Sequence, residues 1–194
     1  MSTTPDTRRG HSRLRPVIWG FAAVLLLLPA IAMRFTTEVD WDARDFTVMG
    51  VMLAGAGGIY ELGVWLSGSR AYRAGFGIAA VTGFLTVWVN LAVGMFGSEQ
   101  NPLNLMFAGV LLIAALGALL ARFRARGMAT AMASTAAAQL LAAGVGLAVG
   151  LSMGTDEQGG PSIFLEAGLT AGFAVPWLVA STLFRAAGKG VAVR

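Results

Sequence analysis

Four polar side chains, Glu61, Asn90, Gln139 and Glu166, fall inside stretches that are otherwise apolar enough to sit in lipid. A carboxylate near mid-membrane is costly unless it is paired, hydrated or protonated, and a buried amide must find a hydrogen-bond partner. Each therefore has two readings, a polar lining or proton-sensitive group on a solute path and a structural tie between helices. Glu61, in Ile59-Tyr60-Glu61-Leu62, stands about five residues, or ~7 Å of helix rise, from the end of its stretch, within reach of Arg70 or Arg73. Glu166 falls in the first turns of the last stretch, where a helix dipole favours a carboxylate. Asn90 and Gln139 lie deeper, with Thr82, Thr86, Ser134, Thr135 and each other as expected partners.

A second concentration of oxygen lies outside the apolar stretches, at Glu38, Asp40, Asp42 and Asp45. A hard cation such as Ca²⁺ needs six to eight oxygens in fixed geometry, and neither the EF-hand glycine nor its twelfth-position Glu is present. The expectation is a solvated acidic loop that attracts cations without holding a metal. Near the next acidic turn, Asn101 and Pro102 read as an N-cap and first position of a helix. Catalytic patterns are sparse: His11 is the one histidine, there is no cysteine, and neither His-Glu-x-x-His nor Gly-x-Ser-x-Gly occurs. Gly55-Ala56-Gly57-Gly58 falls within an apolar stretch, where helix packing explains it better than a phosphate. No cofactor and no nucleic-acid partner is expected, because the basic residues form short clusters between apolar runs. A non-enzymatic role follows, with a lipid-modifying enzyme built on Asp40, Asp42, Asp45, Glu99 and Asn101 as the remaining enzymatic alternative.

The elements that must position these residues are membrane helices. A chain of 194 residues with 56% hydrophobic and 12% charged residues, and mean hydropathy +0.71, carries about half the charge of an ordinary soluble domain. Spanning a hydrocarbon core of about 30 Å takes roughly 20 mostly apolar residues, and a helix satisfies every backbone group there. Six stretches qualify: Val17 to Met33, Phe46 to Leu66, Gly75 to Phe96, Leu103 to Ala121, Met128 to Met153 and Ile163 to Phe184. The first is expected to remain as a helix and not to be removed as a signal peptide, since Pro29 and Met33-Arg34-Phe35 make a poor cleavage site. The expected fold is an all-α, six-helix transmembrane domain over 17–185, between a basic tail at 1–16 and a short basic C-terminus at 186–194.

Arginine and lysine set the orientation. Arg8, Arg9, Arg13, Arg15, Arg70, Arg73, Arg122, Arg124, Arg126, Arg185, Lys189 and Arg194 all fall on one side of six crossings, leaving Arg34 and Arg44 opposite. Both termini are thus expected in the cytoplasm, with Glu38, Asp40, Asp42, Asp45, Glu99, Asp156 and Glu157 outside. The run Val89-Asn90-Leu91-Ala92-Val93-Gly94-Met95 up to Pro102 is answered by Val145-Gly146-Leu147-Ala148-Val149-Gly150-Leu151 up to Pro161. Two readings stand, a parallel hairpin repeat of helices 3–4 and 5–6 or coincidence in an Ala, Val, Leu and Gly-rich chain. Gly146, Gly150 and Gly154 form a small-residue ridge suited to a close helix contact, with a membrane-protein partner or a second copy as its expected user. The small residues of helix 5 mark it as the central helix. Trp19, Trp65, Trp88 and Trp177 are expected mainly as interfacial anchors.

The stretches Glu38-Val39-Asp40-Trp41, Asp45-Phe46, Trp88-Val89-Asn90-Leu91-Ala92-Val93-Gly94 and Asn101-Pro102-Leu103-Asn104-Leu105 resemble a group of small, uncharacterised bacterial multi-pass inner-membrane proteins. The resemblance implies residence in the bacterial inner membrane and transfers no activity or site. Two functions remain in view: passage of a small solute or ion through the bundle, and service as an accessory or scaffold subunit of a larger membrane complex.

Overall fold

The structure, a computed structural model, describes residues 11–153 and 163–189, and every regular element among them is helical. Gly154, Asp156, Glu157 and Pro161 lie outside the described residues, as do Arg8, Arg9 and Arg194. The helices are α1 (His11–Ala32), α2 (Ala43–Leu66), α3 (Arg70–Ala92), α4 (Met106–Leu120), α5 (Ala125–Met153), α6 (Ile163–Gly172) and α7 (Ala174–Lys189), with a single 3₁₀ turn at Pro102–Leu105 before α4. Five stretches are long and apolar enough to cross a membrane: Ala43–Leu66, Arg70–Ala92, Pro102–Leu120, Ala125–Met153 and Ile163–Lys189. The apolar part of α1, Pro16–Ala32, is shorter. The chain is a polytopic helical membrane protein.

It divides into two units, Met1–Gly58 and Ile59–Arg194. In the first, α1 and the early part of α2 meet through small residues. The Trp19 ring lies 3.5 Å from where a Cβ on Gly57 would stand, and Leu26 faces Gly50. The glycines of the Gly55-Ala56-Gly57-Gly58 run sit within α2, as helix packing requires. The N-terminus of α2 is closed by a reciprocal cap. Asp42 Oδ1 accepts from the Asp45 N–H at 3.0 Å, and Asp45 Oδ2 accepts from the Asp42 N–H at 3.0 Å.

In the second unit α5 packs against α4, α6 and α7, and α3 lies against α7. Ala, Gly and Thr on α5 allow that approach: Gly117 of α4 comes so near that an added Cβ would stand 2.7 Å from the Ala131 Cβ. Tyr72, Phe76 and Phe184 make an aromatic knot at one end, with centroids 5.1 to 5.7 Å apart. The Tyr72 hydroxyl donates to the Phe123 carbonyl at 2.6 Å. That carbonyl belongs to the α4–α5 turn, where Arg122 (φ 49) and Phe123 (φ 56) both occupy the left-handed region that disfavours side chains. Tyr72→Phe is expected to cost about 1 kcal/mol by removing a buried hydrogen bond to a strained turn. A fall in the thermal midpoint of about 2–4 °C in detergent checks it.

Two helices end or break where hydropathy alone runs on. The third was expected to continue to Phe96, and α3 ends at Ala92 instead. Gly94 (φ 79) and Gly97 (φ 64) turn the chain back, and Phe96 enters the bundle with 1% of its surface exposed. The sixth span was expected unbroken and is two helices, divided at Phe173. Pro176 has no N–H for the Gly172 carbonyl and its ring crowds that carbonyl, so the ladder slips and the Phe173 N–H bonds Thr170 O at 3.2 Å.

Candidate functional site

The turned-back segment at residues 93–98 is held by one side chain from the start of the next helix. Asn104 Oδ1 accepts from the N–H groups of Met95 and Phe96, both at 3.0 Å. Its Nδ2 donates to Phe96 O at 3.3 Å and Ser98 O at 2.8 Å. Asn104 can occupy this place because Asn101 Oδ1 accepts from the Leu103 N–H at 3.0 Å and Pro102 starts the 3₁₀ turn, the cap expected from these residues. Two further groups reach the segment from α6. Both Glu166 oxygens lie 3.2 Å from the Gly97 N–H, and Thr170 Oγ1 donates to Met95 O at 3.3 Å. The Phe96 ring fills the notch left by Gly146, where an added Cβ would stand 2.2 Å from it.

Contacts between antiparallel helices place the polar groups of α5 relative to α6 and α7. Ser181 Oγ donates to Ala129 O at 2.7 Å, and Gln139 Nε2 donates to Thr170 O at 3.0 Å. Eleven residues along α6–α7 thus match ten along α5. On α3, Gly75 faces Ala180 and Phe184, and Gly83 faces the Trp177 ring. Gln139 thus stands at the depth of Thr170, just where α6 gives way to α7, while Asn90 lies towards the 93–98 end of α3.

Neither amide meets the other or the hydroxyls expected as partners. Thr82, Thr86 and Thr135 donate to carbonyls four residues back on their own helices, at 2.7, 2.8 and 2.9 Å. Asn90 Nδ2 donates to Thr86 O at 2.7 Å and Gln139 Nε2 to Thr170 O. Because a carbonyl can only accept, these bonds fix the amide orientations and leave each amide oxygen as an acceptor. Among the described residues, Asn90 Oδ1, Gln139 Oε1 and Trp177 Nε1 are buried with no hydrogen-bond partner. Gln139 is fully buried and Trp177 is 2% exposed. Trp177 was expected near an interface; it sits in the core because Gly83 across from it leaves space for the indole.

Beside the break, α3 and the α6–α7 junction border a groove of about 470 Å³ lined by residues that include Val81, Leu85, Leu169, Phe173 and Pro176. Thr82 is its one hydroxyl, and that hydroxyl is bonded to Ile78 O.

Glu61 stands apart from this arrangement. It is half-buried near the end of α2, where Tyr60 lies against Gly77 and Phe76 against Gly63. Gly77 precedes Asn90 by thirteen residues, roughly 20 Å of rise. Arg73, a candidate partner for Glu61, donates Nε–H to Ser67 O at 2.7 Å. Of the acidic segment, Asp42 and Asp45 form the α2 cap, while Glu38 and Asp40 are not drawn into it. Among the described residues no three His, Cys, Asp or Glu side chains are gathered as a metal would need. The small-residue ridge is occupied within the chain: Gly146 by Phe96, and Gly150 by Ile163, whose side chain lies 2.5 Å from an added Cβ. Contact with another protein through these two glycines would have to displace both side chains. Sequence reasoning missed Asn104, Thr170 and Trp177. The two glycines flanking Met95-Phe96 were the visible signal for a turn at Asn104; nothing local marked the other two.

Comparison with protein-family models, with curated proteins and with solved structures gives no match.

Proposed function

We propose that this polytopic membrane protein passes a small solute through its helical bundle. One observation carries the proposal: two amide oxygens within the spans, Asn90 Oδ1 and Gln139 Oε1, are buried without a partner, and Gln139 is bonded to the Thr170 carbonyl beside a broken helix. An unpaired buried acceptor costs about 1–3 kcal/mol, and leucine at either place would remove that cost. Broken helices beside unpaired polar groups are the usual setting for solute sites in transporters. In this scheme Glu166 and Asn104 hold the 93–98 segment as a cap at one end of the bundle. Glu61 is the polar group towards the other end. The clustering of arginine supports both termini on the cytoplasmic side, and residence in a bacterial inner membrane is what the resemblance implies.

The test is reconstitution into liposomes with a panel of ions and small neutral solutes. Protein-containing vesicles are expected to pass at least one of them faster than empty vesicles. Gln139→Leu is expected to lower that rate about tenfold, the worth of one hydrogen bond, while the protein stays monodisperse and helical. Rates equal to those of empty vesicles throughout would end the passage reading. A stoichiometric membrane partner recovered alongside such inactivity would favour the accessory role.

A further inference from the structure

We propose that the groove between α3 and the α6–α7 junction holds one acyl chain of an anionic phospholipid, with the lipid's phosphate at the Arg70 end of the bundle. The proposal is independent of solute passage and is decided by lipid binding alone.

The groove runs along α3 from Gly77 through Val81 to Leu85, about 12 Å of helix rise, and its other wall is Leu169, Phe173 and Pro176. Gly172 helps keep it open, since a Cβ added there would meet nothing within 4 Å. Val81, Leu85 and Leu169 are exposed in it. Its volume is about 470 Å³, and its one hydroxyl, on Thr82, is spent on Ile78 O. Water finds no partner in such a space, whereas a hydrocarbon chain gains contact with two walls at once. Inside a membrane span the occupant is therefore a lipid tail.

Charge selects the headgroup and the end at which it sits. Arg70 and Arg73 open α3, Arg122, Arg124 and Arg126 lie in and just after the α4–α5 turn, and Arg185 and Lys189 close α7. They share one end, because the Tyr72 hydroxyl donates to Phe123 O at 2.6 Å and Gly188 packs on the Arg126 side chain. Among the described residues of the unit Ile59–Arg194, Glu61 is the one carboxylate in that half. Arg70 is exposed and stands seven residues before Gly77, two turns away on the same face of α3 and about 10 Å of rise from the groove. The N-terminus of α3 places the positive end of its dipole at the same level. At the opposite mouth Glu166 stands about one turn before Leu169 on α6, with its carboxylate on the Gly97 N–H. A phosphate is drawn to the first end and repelled from the second. Basic residues beside a cleft between membrane helices are a usual seat for acidic lipid headgroups. A zwitterionic lipid brings the same hydrocarbon with no net charge, so the arginines tell the two apart.

For the test, the whole protein is purified in a mild detergent, stripped of native lipid, and titrated with dioleoyl phosphatidylglycerol or dioleoyl phosphatidylcholine, which carry identical chains. Native mass spectrometry counts the complexes. One phosphatidylglycerol is expected to be retained per chain at concentrations that leave phosphatidylcholine unbound. Arg70→Gln, at an exposed position, is expected to weaken that binding about fivefold, the worth of one arginine at a membrane surface. Arg124→Gln, at the same end but on a turn that lines no part of the groove, is expected to leave it nearly unchanged. Val81→Trp, which fills the groove from an exposed position, is expected to abolish the one-to-one complex while the protein stays monodisperse and helical. Equal retention of the two lipids overturns the proposal. So does equal weakening by Arg70→Gln and Arg124→Gln, which would mean a diffuse attraction with no seat at Arg70. A folded Val81→Trp protein that keeps its lipid shows that the tail lies elsewhere, and a second copy of the chain released by Val81→Trp would replace the lipid as occupant.

Discussion

Asn104→Ala is expected to lower stability by about 3 kcal/mol. The wild-type side chain makes four hydrogen bonds to one turn, two accepted from the Met95 and Phe96 N–H groups and two donated to carbonyls. Alanine leaves both N–H groups unpaired in a place where Met95 and Phe96 are buried, at 6% and 1% exposure. No backbone carbonyl replaces them, because Gly94 and Gly97 have already turned the chain out of helical geometry. A fall in the thermal midpoint of roughly 10 °C in detergent is the expected readout. Asn104→Asp separates the two halves of the clamp: it keeps the acceptors for Met95 and Phe96 and turns the donor end into an oxygen facing two carbonyls. The chain has no cysteine, so Met95→Cys, at a position 6% exposed in the held turn, provides a background-free labelling site. Its labelling is expected to be unchanged in rate by a distant substitution such as Tyr72→Phe, and raised severalfold by Asn104→Ala. An unaltered midpoint for Asn104→Ala would show that the turn is held by something other than this side chain.

Gly146→Val is expected to be comparably harmful by the opposite route, too much volume instead of too few bonds. A Cβ at this position would lie 2.2 Å from Phe96 Cζ and 2.3 Å from Cε2, well inside van der Waals contact. The ring cannot yield in place, being 1% exposed and stacked on Phe107 at a centroid distance of 6.2 Å. Overpacking of this kind costs about 1–3 kcal/mol, and expelling the phenyl ring forfeits its packing as well. The decisive measurement is a double-mutant cycle with Phe96→Ala. Phe96→Ala alone is expected to destabilise, and Gly146→Val in that background is expected to cost less than half of what it costs in the wild type, since the atoms it strikes are gone. Strictly additive effects would mean that Gly146 and Phe96 do not share the notch.

Much of the architecture was legible in the residues. Five of the six expected spans, with approximate limits, followed from hydropathy, because lipid accepts only long apolar helices with every backbone group paired; the apolar part of α1, Pro16–Ala32, is shorter than the other five. The central position of α5 followed from its small side chains, and the Asn101-Pro102 start from cap chemistry. The placement of α2's glycine run inside a helix was also readable. The polar residues singled out for their depth, Asn90 and Gln139, do carry the unpaired oxygens. Their partners were not readable, since a threonine in a helix can bond its own turn or a neighbour, and the spacing is the same for both. The expectation that the amides pair with hydroxyls failed on that ambiguity.

What the sequence by itself determined is the one-dimensional part: which segments enter lipid, where arginine collects, and where glycine, proline and asparagine permit a turn. Those properties depend on local composition and on the transfer of each segment from water, so no knowledge of neighbours is needed. Only the tertiary structure decided that Phe96 folds into the Gly146 notch, that Glu166 and Thr170 both reach the 93–98 segment, and that Gln139 meets the carbonyl beside the Pro176 break. These contacts join residues fifty or more positions apart, except for Gln139 and Thr170 at thirty-one, and depend on helix register and rotation. Apolar runs leave rotation open, because a helix that is apolar on every side can present any of its faces to lipid, and close packing with the neighbours makes the choice.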